Sequence, residues 1–350
     1  MKFLVLYEEM AGYFLACLNH LAEKESVEVL VYMKKINQIA PFQFNHSEKI
    51  VILERENFSF EQMKKRIQDF NPDFTYVSGW LYKPYHKIIR QLKLPKAIIG
   101  FDNQYNGSIR QLLGSQFFRL YRKAYIEYAF VPGSSQKRFA KLLGFAENKI
   151  SENLYCCDYG LFNGYYRNTI TEKKKKFPKR ILFVGRYVNE KGVKELWQAF
   201  IELKKENIND WELWCVGKGP IDAVKHPSIK HLGFIQPDKQ EEIIKETGVF
   251  ILPSKFEPWG VVLHEFATAG FPIIATEQVG SSEKFIADNQ NGFLIASNDK
   301  DSVKNALKKI ISLNDTELLQ MSDKSAELAS KLTPDIWAKC LLQMVYGRNM

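Results

Sequence analysis

Short apolar runs alternate with longer amphipathic segments along most of the chain. FLVLY (3–7), VEVLVY (27–32), FTYVS (74–78), KAIIGF (96–101) and YAFVP (128–132) have the length and β-branched or aromatic content of strands. Between them, FEQMKKRIQDF (60–70) and SSQKRFAKLLG (134–144) space their apolar residues as helices do; the second opens on serines suited to capping and ends at a glycine. The strand pattern restarts with RILFVG (180–185), ELWCVG (212–217), IKHLGFI (229–235), VFILPS (249–254) and FPIIAT (271–276). Strands alternating with helices build parallel sheets covered by helices. The expected fold is therefore α/β, with two Rossmann-like domains.

The charged stretch TEKKKKFPKR (171–180) interrupts the pattern without apolar periodicity and reads as a solvated junction. The expected bounds are a first domain over 1–165, a linker over 166–179, a second domain over 180–333 and a terminal helix over 334–350. That helix, PDIWAKCLLQMVY, is apolar enough to need a partner surface.

At 350 residues and 45% hydrophobic content, the chain can bury two cores. Its apolar stretches are too short to span a bilayer, and MKFLVLYEEM runs into Glu8 and Glu9 too soon for a secretory signal, so a cytoplasmic protein is expected. Five cysteines without CxxC spacing argue against a disulfide framework or a structural zinc. Net charge is +9, and residues 85–150 hold twelve basic side chains against three acidic ones. Such a stretch attracts polyanions, either nucleic acid or an anionic membrane leaflet.

Ligands of open α/β sheets bind at the carboxyl ends of strands, so residues that follow strands carry the chemistry. After ILFV come Gly185 and Arg186, and Lys191-Gly192 opens the next helix; two cations beside a helix N-terminus suit a diphosphate, and two surface cations at a loop would look the same. WCVGKGP ends a strand in Gly217-x-Gly219, which a tight connection explains equally well. KFEPWGVVLHEFATAG (255–270) places Glu257, Pro258, Trp259 and Gly260 before an apolar helix and Glu265 within it. Glu257 is either a capping acid or a group facing the ligand. A carboxylate at Glu265 needs donors, either an internal cation or the vicinal hydroxyls of a sugar.

Taken in order, GR-x4-KG, G-x-GP, E-x7-E with its embedded glycine, and Gly280 with Glu283 before NGFLI resemble the nucleotide-sugar-binding domain of retaining glycosyltransferases of family 4, which have the GT-B architecture. The resemblance covers residues 180–300. It implies two Rossmann-like domains facing across a cleft, with the terminal helix crossing back to the first. It also implies that Arg186 and Lys191 hold the donor diphosphate, that Glu257 contacts the transferred sugar and Glu265 the ribose, and that Glu283 is another acidic position of the motif. Gly217, Gly219, Gly233, Phe234, Pro258, Trp259 and Gly260 would complete the donor side. Where the family often has a histidine, this chain has Phe101, Asp102 and Asn103; Asp102 either orients a sugar or forms a turn. Gly12 loosely resembles a glycine of the acceptor-side loop.

The expected activity is transfer of a sugar from a nucleotide-diphosphate sugar to a saccharide or lipid-linked glycan, with retention, in cell-surface polysaccharide synthesis. No metal or other cofactor is expected, on the reading that the chain lacks the Asp-x-Asp motif with which the alternative transferase fold holds a divalent cation. IRQLLGSQFFRLYRKAYIEY (109–128) mixes cations with Leu, Phe and Tyr as an interfacial helix does, so contact with the inner face of the cytoplasmic membrane is expected, though packing of its apolar side on the sheet accounts for the same pattern. A sugar-nucleotide epimerase would use the same architecture without an acceptor. A nucleic-acid-binding protein would use the basic stretch but leave the ordered motifs unexplained, so nucleic acid is not the expected partner.

Overall fold

The structure is a computed structural model and describes residues 1–35, 45–206 and 209–347. The chain forms two compact units, Met1–Asp158 with Leu332–Met350, and Tyr159–Lys331.

The first unit is built on a parallel sheet of β1 (Lys2–Leu6), β2 (Glu28–Met33), β3 (Ile50–Glu54), β4 (Phe74–Ser78), β5 (Ala97–Gly100), β6 (Tyr128–Phe130) and β7 (Ile150–Ser151), in the order β3-β2-β1-β4-β5-β6-β7. Every expected strand is present. The two unforeseen ones lie at the edges: β7 has only two residues, while β3 is half exposed yet carries an apolar run, Ile50 to Leu53, as continuous as those of the expected strands. Around the sheet lie α1 (Gly12–Lys24), α2 (Phe60–Phe70), α3 (Lys83–Leu92), α4 (Ile109–Phe117) and α5 (Ser134–Leu142). A capping box between Ser59 and Gln62 starts α2. In α5 the expected serine cap is not formed: Gly133 takes the cap position and both serines lie inside the helix.

The second unit has six parallel strands, β8 (Arg180–Val184), β9 (Glu212–Val216), β10 (Ile229–Gly233), β11 (Val249–Leu252), β12 (Ile273–Thr276) and β13 (Gly292–Ile295), in the order β10-β9-β8-β11-β12-β13. Its helices are α6 (Tyr159–Lys175), α7 (Val193–Glu206), α8 (Glu241–Glu246), α9 (Val261–Thr268), α10 (Ser282–Phe285), α11 (Lys300–Ser312) and α12 (Asp315–Ala329). In α7, Val193, Leu196, Trp197, Phe200 and Leu203 form one buried stripe that joins Ile181, Phe183, Leu213 and Ile251 of the sheet in a single core.

The expected linker over 166–179 is corrected by α6, which carries the chain to Lys175 and belongs to the second unit from Tyr159. Phe162, Tyr165, Thr169 and Lys173 are its buried positions, spaced three or four residues apart, so the lysines close an amphipathic helix rather than fill a loop. α13 (Pro334–Tyr346) belongs to the first unit. Its Trp337 is fully buried, lies edge-on to Phe14 at 5.7 Å, and donates from Nε1 to the Leu154 carbonyl at 2.8 Å.

Candidate functional site

In the second unit, β8 lies between β9 and β11, so successive connections leave it in opposite directions and a crevice opens at the carboxyl ends of β8 and β11. After β8 the chain passes Gly185 and Arg186, makes a helical turn over Asn189–Lys191, and enters α7 through Gly192 in the left-handed region at φ 65. After β11 it runs from Pro253 to Gly260, which caps α9 at φ 86. The two loops are tied together. Lys255 donates its N–H to Glu190 O at 2.8 Å, and its ammonium reaches Glu195 at 2.7 Å and Asn189 Oδ1 at 3.1 Å.

Lys191 Nζ and Glu257 Oε2 form an ion pair in this crevice, their side chains only 16% and 17% exposed. The Glu257 backbone is fixed from the other side: its N–H donates to Gln278 O at 3.0 Å, and its carbonyl accepts from the Gly280 N–H at 3.0 Å. A cation and an anion 66 residues apart are thereby brought together at the reversal of strand order. Arg186 is exposed and has no ion-pair partner among the described residues, so its five donors remain open to an anion. Beside them α9 starts at half-buried Val261 and Val262, whose N–H groups have no intrahelical acceptors, while the Leu263 N–H donates to Gly260 O at 3.1 Å.

The other expected donor-side residues divide by role. Glu265 is half buried on α9, Glu283 is exposed on α10, and Phe234 is 41% exposed just past β10. Gly233 accepts a hydrogen bond at its carbonyl from the Gly217 N–H at 2.7 Å. Gly217 and Gly219 owe their missing side chains to the protein's own backbone: a Cβ there would lie 1.9 Å from Gly185 O and 2.3 Å from Tyr187 O. Both glycines therefore have a packing role, seating the loop after β9 against the loop after β8. Trp259 is packed inside its own loop, after β11. Its indole is 2% exposed, under the Lys284 ammonium at 5.3 Å, and supports the loop from within while Pro258 holds its carbonyl against Gly280.

An Asp-x-Asp pair does occur outside the motif segments, as Asp299-Lys300-Asp301. Asp299 there caps α11, accepting from the N–H groups of Asp301 and Ser302. Among the described residues no three His, Cys, Asp or Glu side chains are grouped to hold a metal ion.

Gly12 and Asp102 belong to the first unit. A Cβ on Gly12 would meet nothing within 4 Å, so the start of α1 is open. Asp102 follows β5; its carboxylate accepts from Tyr155 OH at 3.5 Å and its carbonyl from Gln136 Nε2 at 3.2 Å. Burial raises the phenols of Tyr7, Tyr76 and Tyr155, and the charge of Asp102 raises them further. A second pair was not foreseen from the sequence: Glu8, just after β1, accepts from buried Arg55 at 2.9 Å, and Arg55 lies over the Tyr82 ring at 3.8 Å. Isolated Glu and Arg residues 47 apart carry no signal of that meeting.

Residues 167–328 match the family model described as glycosyl transferases group 1. The matched segment contains the whole crevice from Arg186 to Glu283. A 2-deoxystreptamine N-acetyl-D-glucosaminyltransferase of Niallia circulans is 30% identical over 170 residues, 45% of this chain and 42% of that protein. An uncharacterized glycosyltransferase of Methanocaldococcus jannaschii is 26% identical over 202 residues, 57% of this chain and 55% of that one. The chain thus spans about half the length of these curated relatives. Among solved structures, Anabaena HepE in complex with UDP-glucose has a TM-score of 0.68 at 14% identity, covering 99% of this chain and 100% of that one. The fold is that of GT-B glycosyltransferases, two parallel-sheet Rossmann-like domains. Among the described residues no helix is long and apolar enough to cross a membrane.

Proposed function

We propose that this protein is a retaining, metal-independent glycosyltransferase that takes a hexose from a nucleotide-diphosphate sugar and passes it to a saccharide or lipid-linked glycan in cell-surface polysaccharide synthesis. The observation that carries the reading is the Lys191–Glu257 pair at the strand-order reversal, beside the unpaired Arg186 and the start of α9. The group 1 match over this segment and the UDP-glucose held by a protein of the same fold support it.

In this reading the donor diphosphate replaces Glu257 as the partner of Lys191, and Arg186 takes a second phosphate oxygen. Glu257, released, accepts hydrogen bonds from hydroxyls of the transferred sugar, and Glu265 accepts from the ribose. Cleavage of the C1–O bond leaves its electron pair on the β-phosphate, where the two cations stabilise it. The acceptor hydroxyl bonds to C1 from the same face and its proton passes to the departing phosphate. Acceptor binding falls to the strand ends of the first unit, at Gly12 and Asp102, and the basic region 85–150 brings the chain to an anionic membrane surface.

The test is a panel of UDP, GDP and ADP sugars incubated with oligosaccharide and lipid-linked acceptors in the presence of a chelator, followed by NMR of the anomeric proton. Transfer with retained configuration supports the reading. Inversion, a strict metal requirement, or acceptor-independent conversion of the donor sugar, as an epimerase would give, contradicts it.

A further inference from the structure

In the first unit, a cavity of about 650 Å³ opens between α3 and the segment that follows α4. Lys83, Lys87, Arg90 and Arg122 line it, and Phe117 and Tyr121 form another part of its wall. Among the described residues, none of these four cations has a carboxylate partner. Arg122 is the most telling, because it is half buried and bonded only to neutral groups: both terminal nitrogens donate to Trp80 O at 3.2 Å, and Nη1 lies 3.3 Å from His86 Nε2. Burial and the Arg122 charge push His86 down to about 4, so the ring offers no negative charge and adds no positive one near neutral pH. A partly desolvated guanidinium with no counter-ion leaves a place for an anion.

An apolar ridge adjoins the cavity through Phe117 and Tyr121. Ile109, Leu113, Phe117 and Tyr121 follow one another at four-residue steps and are 74%, 68%, 53% and 61% exposed, with Leu120 beside them at 73%. Soluble surfaces seldom leave such a contiguous stripe open to water. Phe117 and Tyr121, their rings 4.6 Å apart, belong to both ridge and cavity. A molecule complementary to both has an anionic head and an apolar tail. Nucleic acid would use the cations and the rings but would gain nothing from Ile109, Leu113 and Leu120.

We infer that this cavity holds the phosphate headgroup of an anionic membrane lipid while the ridge enters the acyl boundary. The inference rests only on the membrane-contact part of the proposed function and names the residues that make the contact. The full chain should sediment with vesicles of phosphatidylcholine mixed with phosphatidylglycerol, and much less with phosphatidylcholine alone. Lys87→Ala/Arg90→Ala, two exposed positions, should weaken that binding about 30-fold. Lys137→Ala/Lys141→Ala removes the same charge where the lysines already pair with Glu147, and should change it by about twofold at most. Leu113→Ser/Leu120→Ser should also release the protein from vesicles.

The inference is overturned if wild type binds neither vesicle or both equally, or if the Lys137/Lys141 variant loses as much as the Lys87/Arg90 variant. Displacement from vesicles by inorganic phosphate at matched ionic strength, or by single-stranded nucleic acid binding more tightly, overturns it as well. The thermal shift that nucleotide diphosphates induce, measured on the same variants, reports the second unit separately. An unchanged shift with lost vesicle binding assigns the loss to the cavity, so failure of one reading is distinguishable from failure of the other.

Discussion

Removing Lys191 leaves Glu257 as an unpaired carboxylate that is only 17% exposed. Breaking a fully buried pair costs about 3–5 kcal/mol; with a sixth of each side chain in water, about 2 kcal/mol is the expected loss for Lys191→Met. Glu257→Gln should cost about 1 kcal/mol, because the amide still accepts a hydrogen bond. The double variant has no stranded charge, so it should regain about 1–2 kcal/mol over the sum of the singles. Nucleotide binding should not follow stability. Lys191→Met and the double variant both lose a charge-assisted bond to the diphosphate, a loss of about 10- to 100-fold in affinity. Glu257→Gln should keep or slightly tighten diphosphate binding, since it frees Lys191, while sugar transfer falls. Urea denaturation of the four proteins gives the coupling, and calorimetric titration with the nucleotide diphosphate that binds wild type gives the affinities. Zero coupling, or wild-type affinity in the double variant, would refute the proposed exchange of partners at Lys191.

Three further outcomes follow from the packing. Gly192→Ala places a Cβ 2.1 Å from Pro253 O at φ +65 and should destabilise by about 2 kcal/mol or more, whereas Gly12→Ala meets nothing within 4 Å and should be near neutral; thermal melts compare them. Lys173 is buried with its ammonium 3.9 Å from the Phe271 ring centroid, and burial lowers it from 10.5 to about 7. The unfolded chain therefore binds the extra proton between those values and stability rises with pH across that window, so Lys173→Met should stabilise by about 4 kcal/mol at pH 7 and progressively less toward pH 10.5. Trp337→Ala should cost about 3–5 kcal/mol in urea denaturation, since it empties a fully buried site and leaves the Leu154 carbonyl unpaired.

The parts of this protein most legible in its sequence are those where local chemistry and tertiary position agree. Buried parallel strands such as VFIL and the ILFV of β8 are continuous apolar runs, so they stand out; the two-residue β7 is too short to do so, whereas edge strand β3 carries the same signal in Ile50 to Leu53 and was legible in the sequence. The lysines of α6 disguised a helix because its apolar face is read only when the window begins at Phe162. At the crevice, spacing brought Lys191 and Glu257 forward but could not show that they meet, because that depends on the sheet placing β8 beside β11. The same limit applies to Gly217 and Gly219, which close backbone packing requires whether or not a ligand lies nearby. Glu8 with Arg55 carries no local motif and emerges only when distant elements pack together; of the cations around His86, Lys83, Lys87 and Arg90 share α3 and belong to or adjoin the basic stretch, and only the approach of Arg122 depends on distant packing.

The most direct test of the central claim is calorimetric titration of UDP, GDP and ADP, and of their sugars, into the full chain with a chelator present. At least one nucleotide diphosphate should bind at a single site without added metal, and Arg186→Ala/Lys191→Ala should weaken it by about 100-fold or more. Absence of binding by every nucleotide, or equal affinity in wild type and the double variant, would contradict a donor site at the ends of β8 and β11.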